Sequence, residues 1–168
     1  LSVISYSGTI KDAAGNIADA VSGVLSSPQS VIIDGNSPGF VEVAATDATY
    51  TVGQDVVITV TWNEAVVVTG VPTLTLSNNA SASYTSGTGT TALVFTYTVV
   101  EGDTDNSDLS VISYSGTIKD AAGNIAGIVS GDLGAVIIDA NSPAFSSVAA
   151  PDGTYKVGQS FEITATWN

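Results

Sequence analysis

Apolar residues alternate with small polar residues along much of this chain, and residues 55–62 show the pattern most clearly. Successive side chains of a strand point to opposite sides, so a period of two predicts one buried and one exposed side. The side chains predicted to face inward are Val56, Ile58, Val60 and Trp62, and those predicted to face outward are Val57, Thr59 and Thr61. We therefore expect a half-buried strand here.

Similar but weaker patterns predict six further strands, separated by turns rich in Gly, Asn, Asp and Thr. These strands are expected at 40–45, 73–77, 80–85, 93–100, 109–118 and 133–139. Seven short strands in about 100 residues predict an all-β sandwich. Residues 12–25 are rich in Ala, but their glycines and β-branched residues oppose a helix, so we expect a loop there.

The sequence repeats itself. Residues 1–18 recur letter for letter at 109–126, VIID at 31–34 returns at 136–139, and TWN at 61–63 returns at 166–168. A period of this length fits one small domain per repeat rather than a turn of a solenoid. We predict one complete domain, 35–139, between the closing part of a preceding repeat (1–34) and the opening part of a following one (140–168), so the chain is expected to be a fragment.

The second copy conserves the inward pattern of residues 55–62. Its predicted inward side chains are Phe161, Ile163, Ala165 and Trp167. Because residues 1–34 and 140–168 each lack strands that a sandwich needs, their edges are expected to be unpaired.

Charge and composition exclude several classes of function. The 168 residues include 16 acidic residues but only three lysines and no arginine, for a net charge of -13. Nucleic acid is not an expected partner, because binding the phosphate backbone requires clustered cations. No apolar run is long enough to span a bilayer, so direct membrane insertion is not expected either. The absence of cysteine excludes disulfides.

Catalysis is not expected. The sequence has no His and no Cys, which excludes a Ser-His-Asp or Cys-His nucleophile. Paired carboxylates such as Glu64 and Glu101 could serve a glycosidase, but small repeated sandwiches predict no cleft for them. Trp62 and Trp167 could be platforms for carbohydrate, yet their inward positions favour the core. The same holds for tyrosines within strand patterns, which are Tyr6, Tyr84, Tyr97 and Tyr114.

A metal site is predicted at one end of the complete domain. Alternating strand directions would gather the incoming linker, the loop after residue 62 and the loop after residue 119 at one pole. The candidate ligands there are Asp34, Asn36, Glu64, Asp120 and Asn124. Calcium prefers six to eight such oxygen ligands, and a cation would relieve the repulsion of three carboxylates. The alternative is that 120–124 is a turn whose side chains satisfy its own backbone.

A second acidic segment, 101–108, is expected at the opposite pole. Asp103, Asp105 and Asp108 resemble the start of a calcium loop, but the glycine and the distal glutamate of an EF-hand are missing. Weaker calcium binding and a solvated acidic loop both remain open.

The order of three segments carries a family resemblance. VGQDVVITVTWNEAVVVTGVPTLTLSNN, YTSGTGTTALVFTYTVVEGDTDNSDLSV and GTIKDAAGNIA together resemble the bacterial immunoglobulin-like repeats of very large secreted adhesins, including those of the RTX type. The resemblance implies an immunoglobulin-like β-sandwich repeated in tandem in an extracellular or bacterial cell-surface stalk or biofilm adhesin, often with calcium at the junctions.

The expected function is therefore structural. Such repeats extend an adhesin, and their expected partners are neighbouring repeats of the same chain. The alternative is a carbohydrate- or ligand-binding β-sandwich module, which an exposed aromatic strip or a polar cleft would indicate. The sequence does not identify the adhesive target.

Overall fold

The computed structural model describes residues 2–3, 8–18, 23–24 and 32–168. These residues contain strands, turns and loops but no helix, and accordingly no helix that could cross a membrane. The strands are β1 (Ser2–Val3), β2 (Gly23–Val24), β3 (Phe40–Ala44), β4 (Ala48–Thr51), β5 (Asp55–Leu76), β6 (Ser81–Ser86), β7 (Thr90–Thr98), β8 (Ser110–Lys119), β9 (Gly131–Asp132), β10 (Val136–Asp139), β11 (Phe145–Ala149) and β12 (Thr164–Trp167). The fold is all-β, as predicted.

The chain divides into two compact units, Leu1–Gly35 and Asn36–Asn168. In the first unit β1 pairs antiparallel with β2, and an isolated bridge joins Lys11 to Ile17 across a tight turn. The expected loop at 12–25 is helix-free wherever it is described, although β2 interrupts it. Residues 19–22 and 25–31 lie outside the described residues, as does Tyr6.

The long strand β5 organises the second unit. Its first half pairs antiparallel with β3 on one side and β7 on the other, and its second half pairs with β6 and β8. The side chains of Val56, Ile58, Val60 and Trp62 are all buried, whereas Val57 is exposed. The period-two prediction for residues 55–62 is confirmed, and these antiparallel pairings are consistent with a β-sandwich.

The predicted separation of strands 55–62 and 73–77 is wrong, because β5 runs without a break from the first into the second and ends at Leu76. The strand continues through Gly70 and Pro72, where its register against β8 shifts between Thr69 and Thr73. A Cβ atom on Gly116 of β8 would lie 2.8 Å from the Cα of Pro72, and Gly116 has a positive φ of 103°. Glycine at 116 therefore lets β8 follow the bend of β5.

Within the complete domain the sequence pattern missed two short strands, β4 and β9. β4 pairs with β10 in parallel, with Ala48 opposite Val136 and Thr51 opposite Asp139. β10 is shorter than the predicted 133–139, and the separate strand β9, which pairs with β8, lies just before the predicted range. A four-residue strand of small side chains carries little periodicity, so only its distant partner defines β4.

The core of the second unit is formed by buried apolar side chains from Val43 to Ala140. Trp62 is 2% exposed and meets the Phe40 ring edge-on, with centroids 6.3 Å apart. Tyr97 is buried, and Tyr84 and Tyr114 pack partly buried against the core. The prediction that these aromatic residues belong to the core is confirmed.

The predicted inward set of the second copy is not buried in this chain. Within the described part of the chain β12 pairs only with β11. Trp167 is 58% exposed, even though it meets Phe145 edge-on at 5.6 Å, much as Trp62 meets Phe40. Phe161, Ile163 and Ala165 are exposed as well. A sheet of two strands buries little apolar surface by itself, so the alternation that buries β5 leaves β12 in contact with solvent.

We predict that Trp62→Ala lowers the free energy of unfolding by about 3 to 5 kcal/mol, the usual loss for a large buried aromatic side chain. The matched control is Trp167→Ala, at the equivalent but exposed position, for which we expect less than about 1 kcal/mol. Chemical denaturation of both variants measures the difference. Equal losses would show that Trp62 is not a core residue.

Candidate functional site

The turn 120–124 follows β8 and is held by the side chain of Asp120. Its Oδ1 accepts hydrogen bonds from the backbone N–H groups of Gly123 (2.6 Å) and Asn124 (2.8 Å), and its Oδ2 accepts one from Asn124 Nδ2 (2.7 Å). Gly123 has a positive φ of 101°, which glycine adopts readily. The structure therefore contains the self-satisfied turn that was one of the two predictions for this segment.

The first copy of the same sequence forms the same turn. Asp12 Oδ1 accepts from the N–H groups of Ala14 and Asn16, both at 2.9 Å, and Asp12 Oδ2 accepts from Asn16 Nδ2 at 2.8 Å. Because the two turns lie in different units, the shared local sequence determines this conformation.

The two turns differ in burial, since Asp120 is only 3% exposed whereas Asp12 is exposed. Burial acts to raise the pKa of the Asp120 carboxyl, but the hydrogen bonds from Asn124, Gly123 and Ala122 outweigh it and lower the pKa below its ordinary value. Asp120 is therefore an ionised carboxylate at neutral pH.

Glu64 lies close to Asp120. Glu64 is a half-buried residue of β5, and its carboxylate oxygen lies within 4.8 Å of one from Asp120. Two carboxylates at this distance repel each other, and a cation between them would remove that cost. The structure thus places together two of the predicted metal ligands, along with Asn124, which bonds Asp120 directly.

The other predicted ligands of this site come from the incoming linker. Asp34 belongs to the first unit, and Asn36 is an exposed residue at the start of the second. Their participation, and calcium itself, stay predictions from the sequence.

The acidic segment 101–108 forms a loop after β7 that holds the chain leaving β10. Glu101 Oε1 accepts from the Ser142 N–H (3.0 Å), Glu101 Oε2 accepts from the Ser142 hydroxyl (2.7 Å), and Asp105 Oδ1 accepts from the Ala140 N–H (2.8 Å). Bonds from Ser142 lower the pKa of Glu101, and bonds from Ala140 and Asn141 lower that of Asp105. Calcium at this loop stays a prediction.

Asp103 has a different role, as part of a polar network at the edge of the core. Its Oδ2 accepts from the Tyr97 hydroxyl (2.6 Å) and from the Val100 N–H (3.0 Å), while the buried Asn78 donates from Nδ2 to the same hydroxyl (3.1 Å). Asp108 contributes its backbone N–H, which donates to Asn106 Oδ1 (2.8 Å). The three aspartates of the predicted weaker site therefore have different surroundings.

Sequence reasoning did not anticipate several of these contacts. The Ser142 partner of Glu101 could have been suspected from the repeated Asn-Ser-Pro motif at 36–38 and 141–143. The repeated TWN motif marks another contact that the sequence repeats. Asn63 Oδ1 accepts a hydrogen bond from the Gly39 N–H at 2.8 Å, and Asn168 Oδ1 accepts one from the Ala144 N–H at 2.7 Å. No local signal marks the pairing of Asn78 with Tyr97.

Comparison of the chain with protein-family models, with curated proteins and with solved structures gives no match.

We predict that Tyr97→Phe destabilises the protein by about 1 to 3 kcal/mol, because it leaves the buried Asn78 amide and the Asp103 carboxylate without their shared partner. Equilibrium denaturation measures the loss. The matched control is Tyr155→Phe, whose exposed hydroxyl bonds only the Pro151 carbonyl (3.1 Å) among the contacts described. An equal effect of both substitutions would contradict the role of the network.

The same network predicts a dependence on alkaline pH. Burial, followed by the hydrogen bond to Asp103, raises the pKa of Tyr97 from 10.0 to about 12. Because the folded state holds the proton more tightly than the unfolded state, this stabilisation is complete below pH 10 and is lost as pH rises toward 12. Burial also raises the pKa of Tyr114, so ultraviolet titration of the phenolates should show Tyr97 among the tyrosines that ionise late, and Tyr97→Phe should remove one of these late steps.

Proposed function

We propose that the chain is a structural, extending segment of tandem immunoglobulin-like domains, part of an extracellular or bacterial cell-surface adhesin. The observation that carries this proposal is that the repeated segments share hydrogen bonds as well as sequence. A spacer requires packing that can be repeated from domain to domain, whereas a recognition site requires individual loops.

Four pairs of equivalent contacts support the proposal. The turn at Asp12 repeats the turn at Asp120, and the bridge from Lys11 to Ile17 repeats the one from Lys119 to Ile125. The Tyr50 hydroxyl donates to the Thr46 carbonyl (2.9 Å), as the Tyr155 hydroxyl does to the Pro151 carbonyl. The Thr51 N–H donates to Gln54 Oε1 (2.7 Å), as the Lys156 N–H does to Gln159 Oε1 (2.8 Å). Each motif thus folds locally in the same way in both copies.

One feature of the structure favours the alternative, a carbohydrate- or ligand-binding module. Phe145, Tyr155, Phe161 and Trp167 are exposed together in the second copy. The positions equivalent to Phe145 and Trp167, however, are Phe40 and Trp62, which pack against or within the core of the second unit. The exposed aromatic side chains are therefore better explained as half of a sandwich core than as a platform for sugars. A catalytic role is not proposed, since the sequence has neither His nor Cys.

The domain assignment leads to a direct test. We predict that a protein consisting of residues 35–139 folds alone as an all-β monomer, because nearly all of the buried core residues lie within this range. Circular dichroism, thermal melting and sedimentation check the prediction. A helical spectrum or the lack of a cooperative melt would contradict both the domain boundaries and the repeat proposal.

We further propose that calcium stiffens the junction at the incoming end of the domain, with Glu64 and Asp120 as its central ligands and the linker residues Asp34 and Asn36 as further ones. The close pair of carboxylates supports this location, because a divalent cation would offset their repulsion. Asn124 would hold Asp120 in position.

We predict that calcium raises the melting temperature and that Glu64→Gln abolishes most of this increase. Extracellular calcium modules bind with dissociation constants of about 0.1 to 1 mM. At ten times the dissociation constant, one site adds about 1.4 kcal/mol of stability. Melting in calcium and in chelator measures the effect, and magnesium should substitute poorly because it demands a near-ideal octahedron.

Two control variants separate metal binding from folding. Glu42→Gln removes the same charge from an exposed position of β3 and should keep the full calcium response. Asp120→Ala should lower stability even in chelator, because it also removes the turn's hydrogen bonds. If calorimetry detects no calcium binding at several millimolar, or if Glu64→Gln keeps the response, the metal proposal fails and the spacer proposal is left to its own test.

A further inference from the structure

After β10 the chain leaves the core of the second unit and passes beside the acidic loop 101–108. We name residues 101–108 the clasp loop and residues 140–143 the outgoing linker. The clasp loop lies directly beside β10, with an isolated bridge between Asn106 and Ile138. It then continues along the outgoing linker instead of turning away from it.

The first five residues of the clasp loop, 101–105, supply its contacts with the outgoing linker. Ala140 makes two hydrogen bonds with the clasp loop. Its N–H donates to Asp105 Oδ1 (2.8 Å), and its carbonyl accepts from the Gly102 N–H (3.0 Å). Ser142 also makes two hydrogen bonds with the loop. Its N–H and its hydroxyl donate to the two carboxylate oxygens of Glu101, at 3.0 and 2.7 Å. Four hydrogen bonds therefore fix two residues of a four-residue linker.

The linker has little remaining freedom. Pro143 fixes its own φ and restricts the preceding Ser142 to extended conformations. β11 begins at Phe145, only two residues after the proline, and Ala144 is itself bonded to Asn168. The direction of β11 therefore depends on how Ala140 and Ser142 are held.

We propose that the clasp loop sets the direction in which the chain leaves the domain, by means of carboxylates that bind backbone and hydroxyl donors of the outgoing linker. The contacts between the clasp loop and the outgoing linker do not depend on the function of the chain. Only their use in ordering successive domains rests on the proposed spacer function. Hydrogen bonds to an ionised acceptor are shorter and stronger than neutral ones, which suits a linker exposed to competing water. The acidic residues Glu101 and Asp105 thus act on the linker through direct hydrogen bonds.

Amide hydrogen exchange measured by nuclear magnetic resonance in the full chain tests the clasp. In chelator, we expect Glu101→Ala to speed exchange at Ser142 by about tenfold and Asp105→Ala to do the same at Ala140, while core amides such as that of Phe95 keep their rates. Residual dipolar couplings should show β11 and β12 losing their fixed orientation relative to β5 in the Glu101→Ala variant. Glu101→Gln, which keeps the shape and one acceptor oxygen, should give a smaller change.

Two control variants match these substitutions. Glu42→Gln removes a carboxylate that lies on β3, and Ser37→Ala alters the equivalent serine of the other Asn-Ser-Pro motif. Neither should change exchange at Ser142. Fast exchange at Ser142 in the unsubstituted chain, or unchanged dipolar couplings in Glu101→Ala, would overturn the proposal. Because these measurements are made without calcium, a failure of the calcium site does not affect them.

Discussion

The burial of one side of β5 is the interaction on which the rest of the second unit depends. Val56, Ile58, Val60 and Trp62 are buried along its first half, and the strand continues to Leu76 with Leu74 and Leu76 buried as well. Since both edges of β5 are paired in both halves, four strands take their positions from it. A shift of β5 by one residue would expose its whole apolar side, so the core also fixes the register of its neighbours.

Comparison of the two copies of the repeat distinguishes the structure that nearby residues determine from the burial that distant segments determine. Both copies form the same turns and the same Asn-anchored strand pair, because these depend on residues close in sequence or on one hairpin. They differ in burial, since Trp62 lies in the core and Trp167 is exposed. Identical local structure with different burial shows that burial depends on more distant strands: β5, which carries Trp62, also pairs with β6, β7 and β8, whereas within the described residues β12 pairs with β11 alone.

The acidic residues, which give this chain its net charge of -13, are placed in two different ways. Glu64 and Asp120 approach each other at one site, and their repulsion supports the proposed cation. Glu101, Asp103 and Asp105 instead accept hydrogen bonds from neutral donors of β7 and of the chain after β10. Carboxylates can thus fasten a linker by direct hydrogen bonds, and acidic residues at a junction need not all be metal ligands.

The sequence by itself determined the features that depend on short stretches of chain. The period of two identified which side chains of residues 55–62 face the core, and the Asp-to-Asn spacing at 120–124 allowed the turn that forms, because strand alternation and side-chain capping act within a few residues. Only the tertiary structure decided the parallel pair β4 with β10, the continuity of β5 past Pro72, the contact of Glu101 with Ser142 and the exposure of Trp167. Each of these depends on which distant segment lies alongside, and a segment's own sequence does not specify its neighbour in space.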